Sequence, residues 1–142
     1  MKINQEYSEG DIVKVPKDKV PSKLFTVTFY ENLDEIAEYG LGAKKSKSQM
    51  GNSEYGTSLY NQSGTFFATS VEAAAEYFIY NYSPEDLVCL VIDTKYLDKD
   101  KLYYDTNEQS TISYLNGESA SPTYYYADVI KNPQEVVEIV EV

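Results

Sequence analysis

The chain has 142 residues, 42% of them apolar and 14% aromatic, and a net charge of −11. That is enough for one domain with a real core, too apolar for a disordered chain, and too acidic for a nucleic-acid-binding surface. All 12 basic groups are lysines. With no histidine and no arginine, the chain lacks both a side chain that titrates near neutral pH unaided and a planar, bidentate clamp for phosphate.

Residues 1–22 read as an irregular N-terminal arm, broken by Pro16 and Pro21 and locally basic at Lys14, Lys17 and Lys19. The first strand is predicted over Lys23–Phe29, where β-branched and aromatic residues alternate with others. A helix follows, with Asn32 as N-cap, Glu35 closing a capping box, Leu33, Ile36 and Ala37 as its apolar face, and Gly40 as the C-cap glycine. Residues 42–64 are a long polar stretch rich in Gly, Ser and Asn, with Lys44, Lys45 and Lys47 clustered; a segment of this length inside a domain is functional or mobile. Thr65–Ala68 reads as a short buried strand. A second helix starts at a Thr69 cap with Glu72 in the box and carries Val71, Ala74, Ala75, Phe78 and Ile79 at helical spacing.

Leu87–Asp93 is the strongest strand, apolar on both faces and therefore central. Cys89, the only cysteine, lies inside it and reads as a buried small hydrophobe; with no histidine, zinc and iron–sulfur sites are not expected. Leu102–Tyr104 is a weaker strand, Thr111–Leu115 fits either periodicity, Tyr124–Val129 reads as a strand, and Val136–Val142 as another with its glutamates toward solvent. The pattern, helices early and strands late, indicates an α+β domain over residues 23–142. No apolar run reaches a membrane span and the polar start lacks a signal-peptide core, so the chain reads as soluble and cytoplasmic.

Charge is uneven. Residues 1–83 hold 8 lysines against 11 acids, and residues 84–142 hold 4 against 12. The acidic half also carries Tyr103, Tyr104, Tyr114, Tyr124, Tyr125 and Tyr126, a residue type common both in strands and at interfaces. A surface of this kind repels nucleic acid and suits a protein partner with a basic surface.

Four segments, KLFTVTFYENLDEIAEYGL, GTFFATSVEAAAEYF, LVCLVIDTKYL and TYYYADVIKNPQEVVEIVEV, together resemble the ADP-ribosyltransferase fold of toxins, phage enzymes and poly(ADP-ribose) polymerases. The resemblance implies a split, mainly antiparallel sheet with the two early helices packed on it, and a cleft for NAD. Carried over position by position, the first-strand His or Arg that grips the dinucleotide is Thr26, and the glycine beside it is Val27. The aromatic pair that sandwiches nicotinamide is matched by Phe66 and Tyr77, while the amide-binding serine falls at Ala74. The late-strand glutamate aligns nearest Thr123; Glu118 supplies a carboxylate if the register shifts, and Glu135 is the other candidate. Lys44, Lys45 and Lys47 are candidates to hold a pyrophosphate as point charges. No metal site is expected.

The leading expectation is therefore a non-catalytic, acidic protein of this fold that binds and inhibits a protein partner. It would act as an anti-defence factor of a phage or mobile element, filling a nuclease's nucleic-acid channel with carboxylates in place of phosphates. The alternatives are a divergent mono-ADP-ribosyltransferase using NAD, with Thr26, Tyr77 and a carboxylate from Glu118 or Glu135, and a protein that binds NAD or ADP-ribose without cleaving it.

Overall fold

The computed structural model describes residues 6–43 and 63–142. It is an α+β protein with two three-stranded antiparallel sheets. The first sheet has the order β1 (Lys23–Phe29), β3 (Leu87–Asp93), β6 (Val137–Glu141); the second has β2 (Thr65–Phe67), β5 (Tyr124–Tyr126), β4 (Leu102–Tyr104). β1 and β3 pair along their full lengths, from Lys23 opposite Asp93 to Phe29 opposite Leu87. β3 is central and buried on both faces, as its unbroken apolar run requires. Leu24, Val88, Leu90 and Ile92 point into the main core, which reaches the second sheet; Val27, Leu87, Cys89 and Val91 point to a smaller core. Cys89 is 0% exposed, and burial pushes its thiol up to about 11, so it packs as a hydrophobe and is a poor nucleophile.

The second sheet is built from tyrosine. Phe67, Tyr124 and Tyr104 lie side by side across its three strands on the core face, and Tyr104 and Tyr124 stack at 5.5 Å. Phe66 and Tyr125 lie on the other face, their rings 4.7 Å apart, with Tyr125 fully enclosed. The two sheets meet through one bridge: the Phe25 N–H donates to the Ala68 carbonyl at 3.0 Å, and the Ala68 N–H to the Phe25 carbonyl at 2.7 Å. Beyond that bridge they diverge.

Helix α1 (Leu33–Tyr39) ends at Gly40, whose φ of +96° explains the glycine and whose N–H reaches the Ile36 carbonyl; Leu41 then bridges Ile130. Asn32 is not the side-chain cap that the capping-box pattern predicts. It is itself helical, closes a 3-10 turn (Tyr30–Asn32), and its buried amide donates to Thr28. Helix α2 (Val71–Ala75) is capped by Ser70, which accepts the Ala73 N–H, rather than by Thr69. The cap falls one residue late because the Phe25–Ala68 bridge holds the chain extended up to Thr69.

Thr111–Leu115 belongs to a helix, α3 (Gln109–Leu115), and Val136 to a short helix, α4 (Pro133–Val136), which starts at left-handed Asn132 with Pro133 in its first turn. β5 stops at Tyr126, short of the predicted Val129, because Asp128 turns its carboxylate to Lys101 and to its neighbour's N–H. Glu138 and Glu141 are three residues apart and so sit on opposite faces of β6; both are exposed because β6 is an edge strand.

Residues 6–22 contain one 3-10 turn (Lys17–Lys19) and run along the free edge of β4. There the Val15 N–H donates to Leu102, the Tyr104 N–H to Val13, and the Val15 side chain enters the main core. Lys14 and Lys17 pair with Asp100 in exposed contacts at 3.7 Å, each worth under about 1 kcal/mol. Among the described residues, no helix is long and apolar enough to cross a membrane.

Candidate functional site

Where the two sheets diverge they leave an open cleft of about 100 Å³. β1 contributes Thr26 and Val27, β2 contributes Phe66, and α2 lies across β1 so that Ala74 and, just beyond the helix, Tyr77 and Phe78 close one side. The opposite wall comes from the turn after β4, Asp105 and Glu108, and from Thr123 at the start of β5. Thr26, Phe66 and Tyr77, far apart in sequence, thus line one cleft. The Phe25–Ala68 bridge explains the meeting: it sets Thr26 beside the strand that carries Phe66 and fixes where α2 begins.

The carboxylates of this wall are Asp105 and Glu108, not the two glutamates proposed from sequence. Glu118 lies in the exposed turn after α3, where its N–H donates to the Ser113 carbonyl. Glu135 is exposed on α4, a helical turn and not a strand end. Neither lines the cleft. Lys44, Lys45 and Lys47 lie outside the described residues. Thr123, the position aligned with the family glutamate, does line it, with a hydroxyl where the resemblance implies a carboxylate.

Asp105 is only 3% exposed and is held by a chain of short contacts. Its Oδ1 accepts the Asn107 N–H at 3.2 Å and its Oδ2 accepts the Thr123 hydroxyl at 3.3 Å. Thr123 is in turn fixed by its N–H donating 2.8 Å to the hydroxyl of fully enclosed Thr111, and by its carbonyl accepting the Asp105 N–H. Burial pushes the Asp105 carboxyl up to about 7, and the charge of Glu108 adds to this; the Asn107 N–H and Thr123 hydroxyl oppose it. No lysine pairs with Asp105 among the described residues.

Asp105 and Glu108 carry little signal of their own in the sequence: D-T-N-E at 105–108 is not a capping box, and Glu108 stands at the N-cap of α3 without a side-chain cap bond.

Chemically the cleft is an aromatic slot with an acidic wall. Of the parts of NAD, the cationic nicotinamide ring matches the aromatic faces and the carboxylate. The diphosphate does not match, since every ionisable side chain in the lining other than Tyr77 is an acid and no described lysine is among them. Its volume suits a single planar group and falls below that of clefts that enclose a whole cofactor, about 300 Å³ or more. Among the described residues, no cluster of three or more acids or thiols is placed to hold a metal. No protein-family profile and no characterised protein matches the sequence.

Proposed function

We propose that this is a binding protein that docks, through an aromatic and acidic surface, onto a protein partner with a basic face. The observation that carries the reading is a set of exposed tyrosines with two hollows lined by aromatic and acidic residues. From the cleft, the chain passes through Tyr77 to a turn on which Tyr80 is 84% exposed, and on to Tyr82, whose ring packs 4.8 Å from Phe29. Phe29 opens a second hollow lined by Tyr30, Glu31, Glu85 and Asp86. Among the described residues, neither hollow has a lysine in its lining. Exposed tyrosines supply area at low entropic cost, and interleaved carboxylates steer and orient a cationic partner. A groove that normally grips nucleic-acid phosphate has the charge this surface complements.

The test uses a labelled arginine- and lysine-rich peptide, followed by fluorescence anisotropy. Binding is expected to weaken by about ten-fold when salt rises from roughly 50 to 300 mM. Tyr30→Ala combined with Tyr80→Ala should weaken it by a similar factor, about ten-fold. The charge control is internal: Glu31→Lys with Glu85→Lys should abolish binding, while Glu138→Lys with Glu141→Lys on β6 changes the net charge equally and should have little effect. Equal losses from the two pairs would mean that net charge alone attracts the peptide, and the reading would fall.

The convergence of Thr26, Phe66 and Tyr77 on one cleft favours a second reading, a divergent mono-ADP-ribosyltransferase with Asp105 in the place of the glutamate. It predicts release of nicotinamide from labelled NAD in the presence of cell lysate, lost in Asp105→Asn. Absence of release where an active relative releases it would exclude this reading.

A further inference from the structure

We infer that the cleft between the sheets is an anchor pocket for an arginine side chain of the partner. The inference rests on the binding reading above and names the group that the cleft takes.

The lining selects by charge and shape together. Tyr77 is 53% exposed at the rim and Phe66 is half-buried within, so two aromatic groups border the space. Asp105 stands in the wall with Glu108 beside it, and the Thr123 and Thr26 hydroxyls complete the polar contacts. An anion entering this space would meet two carboxylates in a partly dry setting, which is strongly unfavourable. A neutral ring would leave Asp105 without a charge partner. A guanidinium meets every requirement: it is flat, weakly hydrated, stacks on aromatic faces, and presents a fork of donors to a carboxylate. Lysine fits less well, because its compact ammonium is strongly hydrated and cannot lie flat between rings.

None of these 142 residues is an arginine, so none of them supplies the group, from the same copy or from a second one. The architecture of the wall also fits a preformed anchor. Asp105 is locked through Thr123 to the enclosed Thr111, so the carboxylate is aimed before anything binds.

The probe is N-acetyl-arginine-N′-methylamide, titrated into the intact protein and followed by amide shifts of Thr26 and Thr123. Its citrulline and lysine counterparts and NAD serve as comparisons. The arginine compound is expected to bind at least about ten-fold more tightly than the uncharged citrulline isostere. Tyr77→Ala and Asp105→Asn should each weaken it by about ten-fold, and Glu118→Gln and Glu135→Gln should leave it unchanged. Equal binding of arginine and citrulline compounds, tighter binding of NAD than of either, or no shift at Thr26 and Thr123 would overturn the inference. The two proposals fail separately. If the basic peptide still binds through Tyr30, Tyr80, Glu31 and Glu85 while the arginine compound does not enter the cleft, the docking surface stands and the anchor pocket falls. If neither binds, both fall.

Discussion

Replacing Asp105 with asparagine is expected to stabilise the protein at pH 8 by about 2–4 kcal/mol and to change little at pH 4. The carboxyl is raised from 3.8 to about 7, chiefly by burial. A raised folded-state value means that the folded protein holds this proton more tightly than the unfolded chain. The stabilising contribution is therefore complete below about 3.8 and is lost as pH rises to about 7. A displacement of about three pKa units corresponds to about 4 kcal/mol at most. Asparagine has the same shape and carries no charge to desolvate; with its oxygen accepting the Asn107 N–H, its amide NH2 donates to the Thr123 hydroxyl, which reverses its role, so the variant escapes the loss. Titrating groups remote from the cleft act alike in both proteins, so the difference between them reads residue 105 together with its coupling to Glu108. Urea unfolding of both proteins at pH 4 and pH 8 makes the comparison. A variant less stable than the parent at pH 8 would show that the ionised carboxylate is satisfied in the free protein. The expected gain bears on the proposed anchor pocket: a carboxylate that weakens its own fold in the wall of an open cleft, without a counter-ion among the described residues, is what a binding group for a cation would look like. The same substitution should strengthen the fold and weaken the capture of a guanidinium, and this opposition distinguishes a binding group from a structural one.

What the sequence made legible follows from how local each signal is. β1 and β3 are readable to the residue because KLFTVTF and LVCLVID are runs of β-branched and apolar residues with no competing cap or turn chemistry. Phe66 and Tyr77 are read as a pair only through the aromatic pair that the ADP-ribosyltransferase resemblance implies; on their own residues, each reads as an ordinary strand or helix aromatic. α3 is not readable from QSTISYL, whose Thr, Ile and Tyr favour a strand by propensity. In the fold it is helical, with Tyr114 and Leu115 packed on the core beside Tyr104, a tertiary contact that propensity does not register. The acidic wall is lost for the same reason. Asp105 follows a three-residue strand with a weak signal of its own, and it reaches Thr123 only through the β4–β5 register, in which Tyr104 pairs with Tyr124. Glu118 and Glu135 are candidates only through the late-strand glutamate that the resemblance implies, and both lie in exposed segments away from the cleft. The resemblance to ADP-ribosyltransferases rests on segment order and is a proposal for the fold beyond its α+β class. Phe66 and Tyr77 line one cleft, and its acids lie in the turn after β4.

Alanine at Gly64 is expected to cost about 2–3 kcal/mol and to blunt the cleft as well. Gly64 immediately precedes β2, and its N–H donates to the Gly42 carbonyl at 2.9 Å. A methyl group there would overlap the hydroxyl end of Tyr125 and come within 2.5 Å of the Tyr126 carbonyl oxygen. Neither neighbour can yield. The Tyr126 oxygen is backbone within the β2–β5 ladder, and the Tyr125 ring is 0% exposed and lies against Phe66. The strain must be relieved by lifting β2 away from β5. Because Phe66 is two residues along the same strand, that shift moves one of the two aromatic groups that border the cleft. Gly10→Ala provides the contrast: Gly10 has a φ of +87° but nothing within 4 Å of an added carbon. It should cost about 1 kcal/mol of backbone strain and leave the cleft untouched. Adding Tyr125→Phe to Gly64→Ala removes the hydroxyl but leaves the overlap with the ring carbon Cζ and the Tyr126 carbonyl at 2.5 Å, so only a small part of the loss should return, and a double-mutant cycle reads that coupling directly. If Gly64→Ala unfolds at the same urea concentration as the parent, β2 has room to move, and the cleft's aromatic wall is not the rigid platform that both the ring-stacking and the guanidinium readings require.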